Sequence, residues 1–275
     1  MPIADINGHS MYFETHGSGE PVLCMGGWGT YCHGSAHHLG GALLARHRVI
    51  IFDHRGLGQS GDDPSVAPTT KLYAADAAGL LDHLGVKRTH VVGMVGLGAC
   101  IAQELALARP DLVKSMTNMG SWARPDMLFR HQLESLRDVH GAMGWADFQK
   151  LVCAMSFEGG FYEENHHRLI GPDGPWRELK GRYAAHARLI EACLAHDTLD
   201  RLNHIVAPSL IIHLPLDQVT GPRLTLPIER GIPGARGVAL DGAAHVVAGK
   251  TLRARFSELL LGFLAEVDAK AGAAP

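Results

Sequence analysis

Apolar and polar positions alternate over two short stretches at the start of the chain, Ile3–Ile6 and Met11–Thr15, with Asn7-Gly8 between them. Alternation with a period of two marks a strand with one buried face, and Asn-Gly is the pair that a tight type I′ turn requires. These residues predict a β-hairpin. After a break at Gly17 to Pro21 the pattern changes. Short runs at Val22–Met25, Val49–Phe52, Val91-Val92, Ser115–Met119, Leu210–His213 and Gly237–Leu240 read as strands, most of them apolar on both faces. Between them, apolar residues recur at three and four residue intervals over Ser35–Arg46, Thr69–Leu84, Ala99–Ala108 and Thr251–Glu266, which predicts helices. Gly85 and Pro110 supply stops for two of these. Strands buried on both faces and alternating with helices predict an α/β fold, a mostly parallel central sheet flanked by helices.

One segment breaks the alternation. From about Pro125 to Asn203 there are helical patterns but no strand, and the segment holds Trp145, Phe148, Phe157, Phe161, Tyr162 and Trp176. It reads as a helical cap, residues 125–205, inserted in a core domain made of residues 1–124 and 206–275. Its expected place is over the carboxyl ends of the strands, where open α/β sheets bind ligands. No internal repeat or low-complexity linker is visible.

Composition narrows the function. With 46% apolar residues, a chain of 275 residues can build a single large core. A formal charge of −3 and no basic stripe argue against nucleic acid as a partner. No apolar run is long enough to span a membrane, and Met1 to Ser10 lacks the basic-then-apolar order of a secretory signal. The five cysteines are scattered and form no CxxC pair, so free thiols in a cytoplasmic setting are expected. The sequence is compatible with a homodimer and does not specify one.

Several motifs then occur in a telling order. "RVIIFDHRGLGQSG" (Arg48 to Gly61) resembles the D-x-R-G-x-G-x-S strand and turn of the α/β-hydrolase family. "LGVKRTHVVG" with "IAQELALARPDLV" resembles that family's strand and helix around the nucleophile. "PSLIIHLPLDQVTGP" resembles the segment carrying the acid, and "DGAAHVV" the segment carrying the base. The family's chain order of nucleophile, acid, base is kept. The resemblance covers most of the chain outside the cap and implies an α/β-hydrolase fold; function has to be argued from the site.

At the nucleophile the chain departs from the pattern. Where the family has G-x-S-x-G on a strained turn, this chain has Gly93-Met94-Val95-Gly96-Leu97-Gly98. Alignment from the preceding strand puts Val95 at the tip; alignment from the following helix puts Gly96 there. Backbone physics favours Gly96, because a β-branched valine resists the unfavourable φ/ψ of the tip. Either way, no Ser, Cys, Asp or Thr lies between Gly93 and Ala99. Cys100 reads as a small core residue rather than a replacement nucleophile. Ser121 offers a hydroxyl but lacks an elbow.

The rest of the machinery has counterparts. Asp217 and His245 match the acid and base, and a histidine held by a carboxylate is fixed in one tautomer as a better base. The plain alternative is that both are leftovers. The family's oxyanion hole implies backbone N–H donors at Gly27 and Leu97, although Gly26-Gly27 would also serve a simple tight turn. Met25 stands where the family usually has histidine before that glycine. Trp28, His54, Ser121 and Trp122 follow strand ends and are expected to line the pocket. His33 and His37 have metal-compatible spacing but no matching Cys or carboxylate, so no metal is expected, and no motif calls for a cofactor. The paired His166-His167 reads as solvated.

Three functions fit these residues. One is an enzyme using His245 as general base on a small ester, lactone or ketone, by direct hydrolysis or C–C cleavage. Another, by a faint resemblance at Gly27-Trp28, is a cofactor-free dioxygenase acting on a hydroxylated aromatic. The last is a ligand-binding pseudoenzyme, which accounts for the lost nucleophile but not for the retained Asp217 and His245. The partner in each case is a small molecule.

Overall fold

A computed structural model describes residues 2–28, 33 and 40–272. The hairpin forms as its pattern predicts, with β1 at Ile3–Ile6 and β2 at His9–His16. Asn7 and Gly8 both take positive φ, 49° and 78°, as a type I′ turn demands. The strands that follow are β3 (Glu20–Met25), β4 (His47–Phe52), β5 (Thr89–Met94), β6 (Val113–Met119), β7 (Ser209–His213) and β8 (Arg236–Ala239). They make one eight-stranded sheet in the order β1-β2-β4-β3-β5-β6-β7-β8. The pairs β1–β2 and β2–β4 are antiparallel, and all the others are parallel.

The helices between these strands are α1 (Gly41–Leu44), α2 (Thr70–His83), α3 (Leu97–Ala108) and α8 (Pro222–Gly231), and α9 (Lys250–Gly272) follows the last strand. Residues 35–39 of the predicted helix Ser35–Arg46 lie outside the described residues; of the rest, Gly41–Leu44 is helical, as α1. Thr69 caps α2 by accepting the Leu72 N–H at 3.0 Å, which fixes where that helix starts. The sheet sorts its side chains by alternation. In β3, Leu23 and Met25 join the core under α2 and α3, while Val22 and Cys24 face the core under α1 and α9. Between β6 and β7 the described residues form helices only: α4 (Met127–Met143), α5 (Trp145–Ser156), α6 (Gly159–Leu169) and α7 (Tyr183–Ala195), with 3-10 turns at Arg177–Leu179 and Leu199–His204. Arg188 of α7 ties this segment to the loop after β4, reaching Asp62 at 2.9 Å and the Val66 carbonyl at 2.8 Å. No helix among the described residues is long and apolar enough to cross a membrane.

The turn after β4 is held by a buried ion pair. Arg55 donates through Nε and Nη2 to Asp76 of α2 at 2.6 and 2.8 Å, and also to the Asn7 carbonyl of the hairpin. Both charged groups are almost fully excluded from water. Asp76→Ala would strand the guanidinium without a counter-charge. It is expected to cost about 3–5 kcal/mol, read by urea unfolding at constant pH.

Candidate active site

β5 leads into α3 through a sharp turn. Val95 has φ 33° and Gly96 φ 73°, ψ −121°, and Gly96 is the N-cap of α3. A residue with a Cβ takes the Gly96 conformation only under strain, and Val95 before it also stands at positive φ. The Gly96 N–H donates to the Gly120 carbonyl at 2.7 Å. Leu97 opens the helix, where an N–H has no intrahelical acceptor. A Cβ at Gly98 would run into the carbonyls of Met25 and Gly26. Glycine there lets α3 press against the loop that carries Gly27. A Cβ on Gly96 would meet nothing within 4 Å.

A cavity of about 610 Å³ lies over this turn. Gly27, Trp28, Val95, Gly96, Leu97, Trp122 and His245 all line it from the core side. The helical segment supplies the opposite wall, including Phe129, Ser156, Phe157 and Trp176. Apolar side chains make up most of the lining; of its charged residues, Arg168 and Arg253 are exposed to solvent and Glu178 is largely buried.

His245 follows β8, and its Nδ1–H donates to Asp217 Oδ2 at 2.9 Å. Asp217 sits in the turn after β7 and is fully engaged. Its Oδ1 accepts the N–H groups of Val219 and Thr220 at 2.7 and 2.8 Å, and its Oδ2 accepts the Thr220 hydroxyl at 2.8 Å. Burial alone would raise the Asp217 carboxyl, but His245 and the Thr220 donors outweigh it and hold the group below its ordinary value. His245 Nε2 makes no hydrogen bond among the described residues, and His245 lines the cavity. Thr220, with Oγ1 3.1 Å from His245 Nδ1 as well, was not singled out from sequence. Its only signal is the spacing Asp217-x-x-Thr220, that of a carboxylate bonding forward to its own turn.

Two expected pocket residues lie elsewhere. His54 is buried behind the Gly26-Gly27 loop, where its Nε2–H donates to the Gly26 carbonyl at 3.2 Å, and it does not reach the cavity. The chain turns inward after Phe52, so the ring packs between Phe52 and Tyr73. Burial lowers its pKa despite that hydrogen bond. Ser121 is also buried away from the cavity. Its hydroxyl donates to Asn118 Oδ1 at 2.5 Å and accepts from Gln103 at 3.3 Å, which commits its proton and removes it as a nucleophile. Cys100 is fully buried, and burial pushes its thiol well above the ordinary value, so no thiolate is at hand. His37 lies outside the described residues. His33 bonds Asp53 through Nδ1 at 3.0 Å, and no cluster of three metal-ligating side chains occurs among the described residues. His166 and His167 are exposed.

This architecture is found elsewhere. A protein from Azorhizobium caulinodans that carries the provisional name carbamate hydrolase RutD is 34% identical, over 98% of this chain and 100% of its own length. One of the same name from Variovorax paradoxus is 30% identical, over 94% of this chain and 97% of its own. Among solved structures, the enol-lactonase from Burkholderia xenovorans LB400 superposes with a TM-score of 0.83 at 21% identity, covering 96% of this chain and 100% of that one. The family model described as alpha/beta hydrolase fold matches residues 20–249. With the sheet order, the turn before α3 and the segment between β6 and β7 in place, the chain belongs to the alpha/beta hydrolase fold family.

Proposed function

We propose that this protein hydrolyses a small carbonyl compound by general base catalysis from His245, without a covalent acyl-enzyme. The observation that carries the reading is the glycine at the elbow tip beside an intact His245–Asp217 pair. Nothing at the tip can attack, yet the base is oriented and the space a serine hydroxyl would fill is open. A water can stand there. His245 Nε2 takes its proton as the water oxygen bonds to the carbonyl carbon, and Asp217 stabilises the imidazolium that results. The backbone N–H groups of Gly27 and Leu97 are the donors for the oxygen that gains charge. The imidazolium then returns the proton to the leaving group. The same base would serve C–C cleavage by removing a substrate proton. Relatives named for carbamate hydrolysis add carbamates to esters and lactones as substrates to try.

The test is a panel of esters, lactones and carbamates, with the intact protein mass measured during turnover. The expected result is turnover with no acyl adduct on the wild type. His245→Ala should lose about 10²–10⁴ in kcat while still binding ligand. An acyl adduct on the wild type, or undiminished turnover in His245→Ala, overturns the reading.

A further inference from the structure

Among the described residues, Arg168, Asp173, Arg177, Glu178 and Arg253 are the acidic and basic side chains that line the cavity. Four of them are exposed. Glu178 is different, with only 14% of its side chain open to solvent. It sits in the 3-10 turn Arg177–Leu179 of the helical segment, and Leu179 anchors that turn in the core at 0% exposure. Trp176, just before the turn, has φ 59° and ψ 15°, a left-handed conformation that is rare for a bulky residue. Its carbonyl accepts the Trp145 indole N–H at 3.2 Å and the Leu179 N–H at 2.9 Å. These bonds hold a strained backbone at the cavity wall, and strain of this kind gathers where a side chain has to be aimed. The side chain set there is Glu178.

Other carboxylates withdrawn from solvent in this protein are closely matched. Asp62 meets Arg188 at 2.9 Å, Glu104 meets Arg201 at 2.6 Å, and Asp76 meets Arg55 at 2.6 Å. Glu178 has two ionic neighbours among the described residues, Arg177 Nε at Oε1 and His33 Nε2 at Oε2, and both stand 3.5 Å away. That is beyond the usual N–H···O range. His33 also has its other nitrogen committed, since Nδ1 bonds Asp53 at 3.0 Å. A neutral ring with its proton on Nδ1 turns a bare lone pair toward Glu178 and donates nothing to it. The Glu178 carboxylate therefore keeps acceptor capacity at a mostly apolar wall, where an ill-matched charge is costly.

We infer that Glu178 is a specificity residue of the cavity, and that the ligand it selects carries an uncharged N–H donor for its carboxylate to accept. An anionic group is repelled by the carboxylate. A cationic group gains little, because Arg168, Arg177 and Arg253 line the same cavity against only Asp173 and Glu178. A neutral N–H meets the carboxylate without either penalty, and a hydrogen bond to a charged acceptor is among the stronger ones. A ligand that lacks the donor leaves Glu178 ill-matched, which penalises it more than a missing apolar contact would. That this cavity is where the substrate reacts rests on the proposed function; the donor preference rests on Glu178 alone.

The experiment uses ketones that cannot be hydrolysed, so it reads binding alone. Calorimetric titration compares 3- and 4-aminoacetophenone with 3- and 4-methylacetophenone. The amino and methyl groups are close in size, and only the amino group has protons to donate. At least one amino isomer should bind the wild type about tenfold more tightly than its methyl partner. Glu178→Leu should bring that ratio to unity while leaving the methyl ketones within about twofold of their wild-type affinity. Glu178→Gln keeps the shape and one acceptor oxygen without the charge, and should give a ratio between the two. Equal binding of the paired ketones by the wild type, a ratio that survives both substitutions, or equal weakening of both members of a pair overturns the inference. Tighter wild-type binding of 4-acetylbenzylammonium than of 4-aminoacetophenone would overturn it too, since the selected group would then be a cation. An acyl adduct during turnover would sink the proposed mechanism while leaving this ketone comparison unaffected.

Discussion

Gly96→Ser is expected to turn the protein into one that forms a covalent acyl-enzyme. The backbone at Gly96, φ 73° and ψ −121°, already has the tip conformation. An added Cβ meets no atom within 4 Å, so a serine side chain enters open cavity. The hydroxyl would stand at the N-terminus of α3, where the helix dipole favours developing negative charge. His245 lines the same cavity, and its Nε2 makes no hydrogen bond among the described residues. The cost is that of a non-glycine residue in a sparsely populated region, about 1–3 kcal/mol. The wild type should remain unlabelled by a fluorophosphonate. The variant should take up one equivalent and give a burst of p-nitrophenol from p-nitrophenyl acetate. Val95→Ser is the control and should stay unlabelled, because that residue does not hold the tip geometry. A folded Gly96→Ser protein that resists labelling would show that His245 and the tip are not aligned for attack.

Acid should destabilise the fold well above the carboxylate range. His186 and His196 are buried at 0% and 1% exposure. Burial, aided by His140 in one case and Arg201 in the other, lowers both to about 3 from an ordinary 6.5. In the folded chain both rings stay neutral down to that value, while the unfolded chain protonates them below about pH 6.5. The unfolded state therefore binds more protons between pH 6.5 and 3. The stability that neutral burial confers is complete above pH 6.5 and is lost as the pH falls through that window. At pH 4.5 the loss is on the order of 5 kcal/mol for the two rings together. That is comparable with the whole stability of a modest domain. Urea unfolding followed from pH 7.5 to 4.5 should show this limb. His186→Gln and His196→Gln should each flatten it, and a midpoint unchanged over that range would refute the argument.

Neither ring could have been assigned from the sequence. His186 pairs with His140 through Nδ1 atoms 2.8 Å apart, a contact between residues 46 positions apart that exists only because α4 packs on α7. His196 meets the Thr70 hydroxyl 126 positions away. The sheet was legible for the opposite reason. Asn7-Gly8, Gly85 and the short apolar runs are local signals, and local physics decides them. The preference for Gly96 at the tip also rested on a local argument, the reluctance of a valine to take an unfavourable φ/ψ, and the structure nonetheless holds Val95 at φ 33°. His54 and Ser121 misled because both follow strand ends, where pocket residues are common. Which way a side chain points after a strand ends depends on the turn, and alternation no longer predicts it. Thr220 carries only the faint local signal of its spacing from Asp217.

The turn before α3 has one more consequence. Val95 is a β-branched residue held at φ 33°, in a stretch with no Ser, Cys, Asp or Thr between Gly93 and Ala99. Something other than a nucleophile keeps the turn in that shape. The Gly96–Gly120 backbone bond and the close approach of Gly98 to Met25 and Gly26 are sufficient constraints. Scaffold and reagent are thus separable here. The residue at the tip can be exchanged without rebuilding the bend beneath it, and a chain of this kind can change its chemistry while leaving its architecture alone.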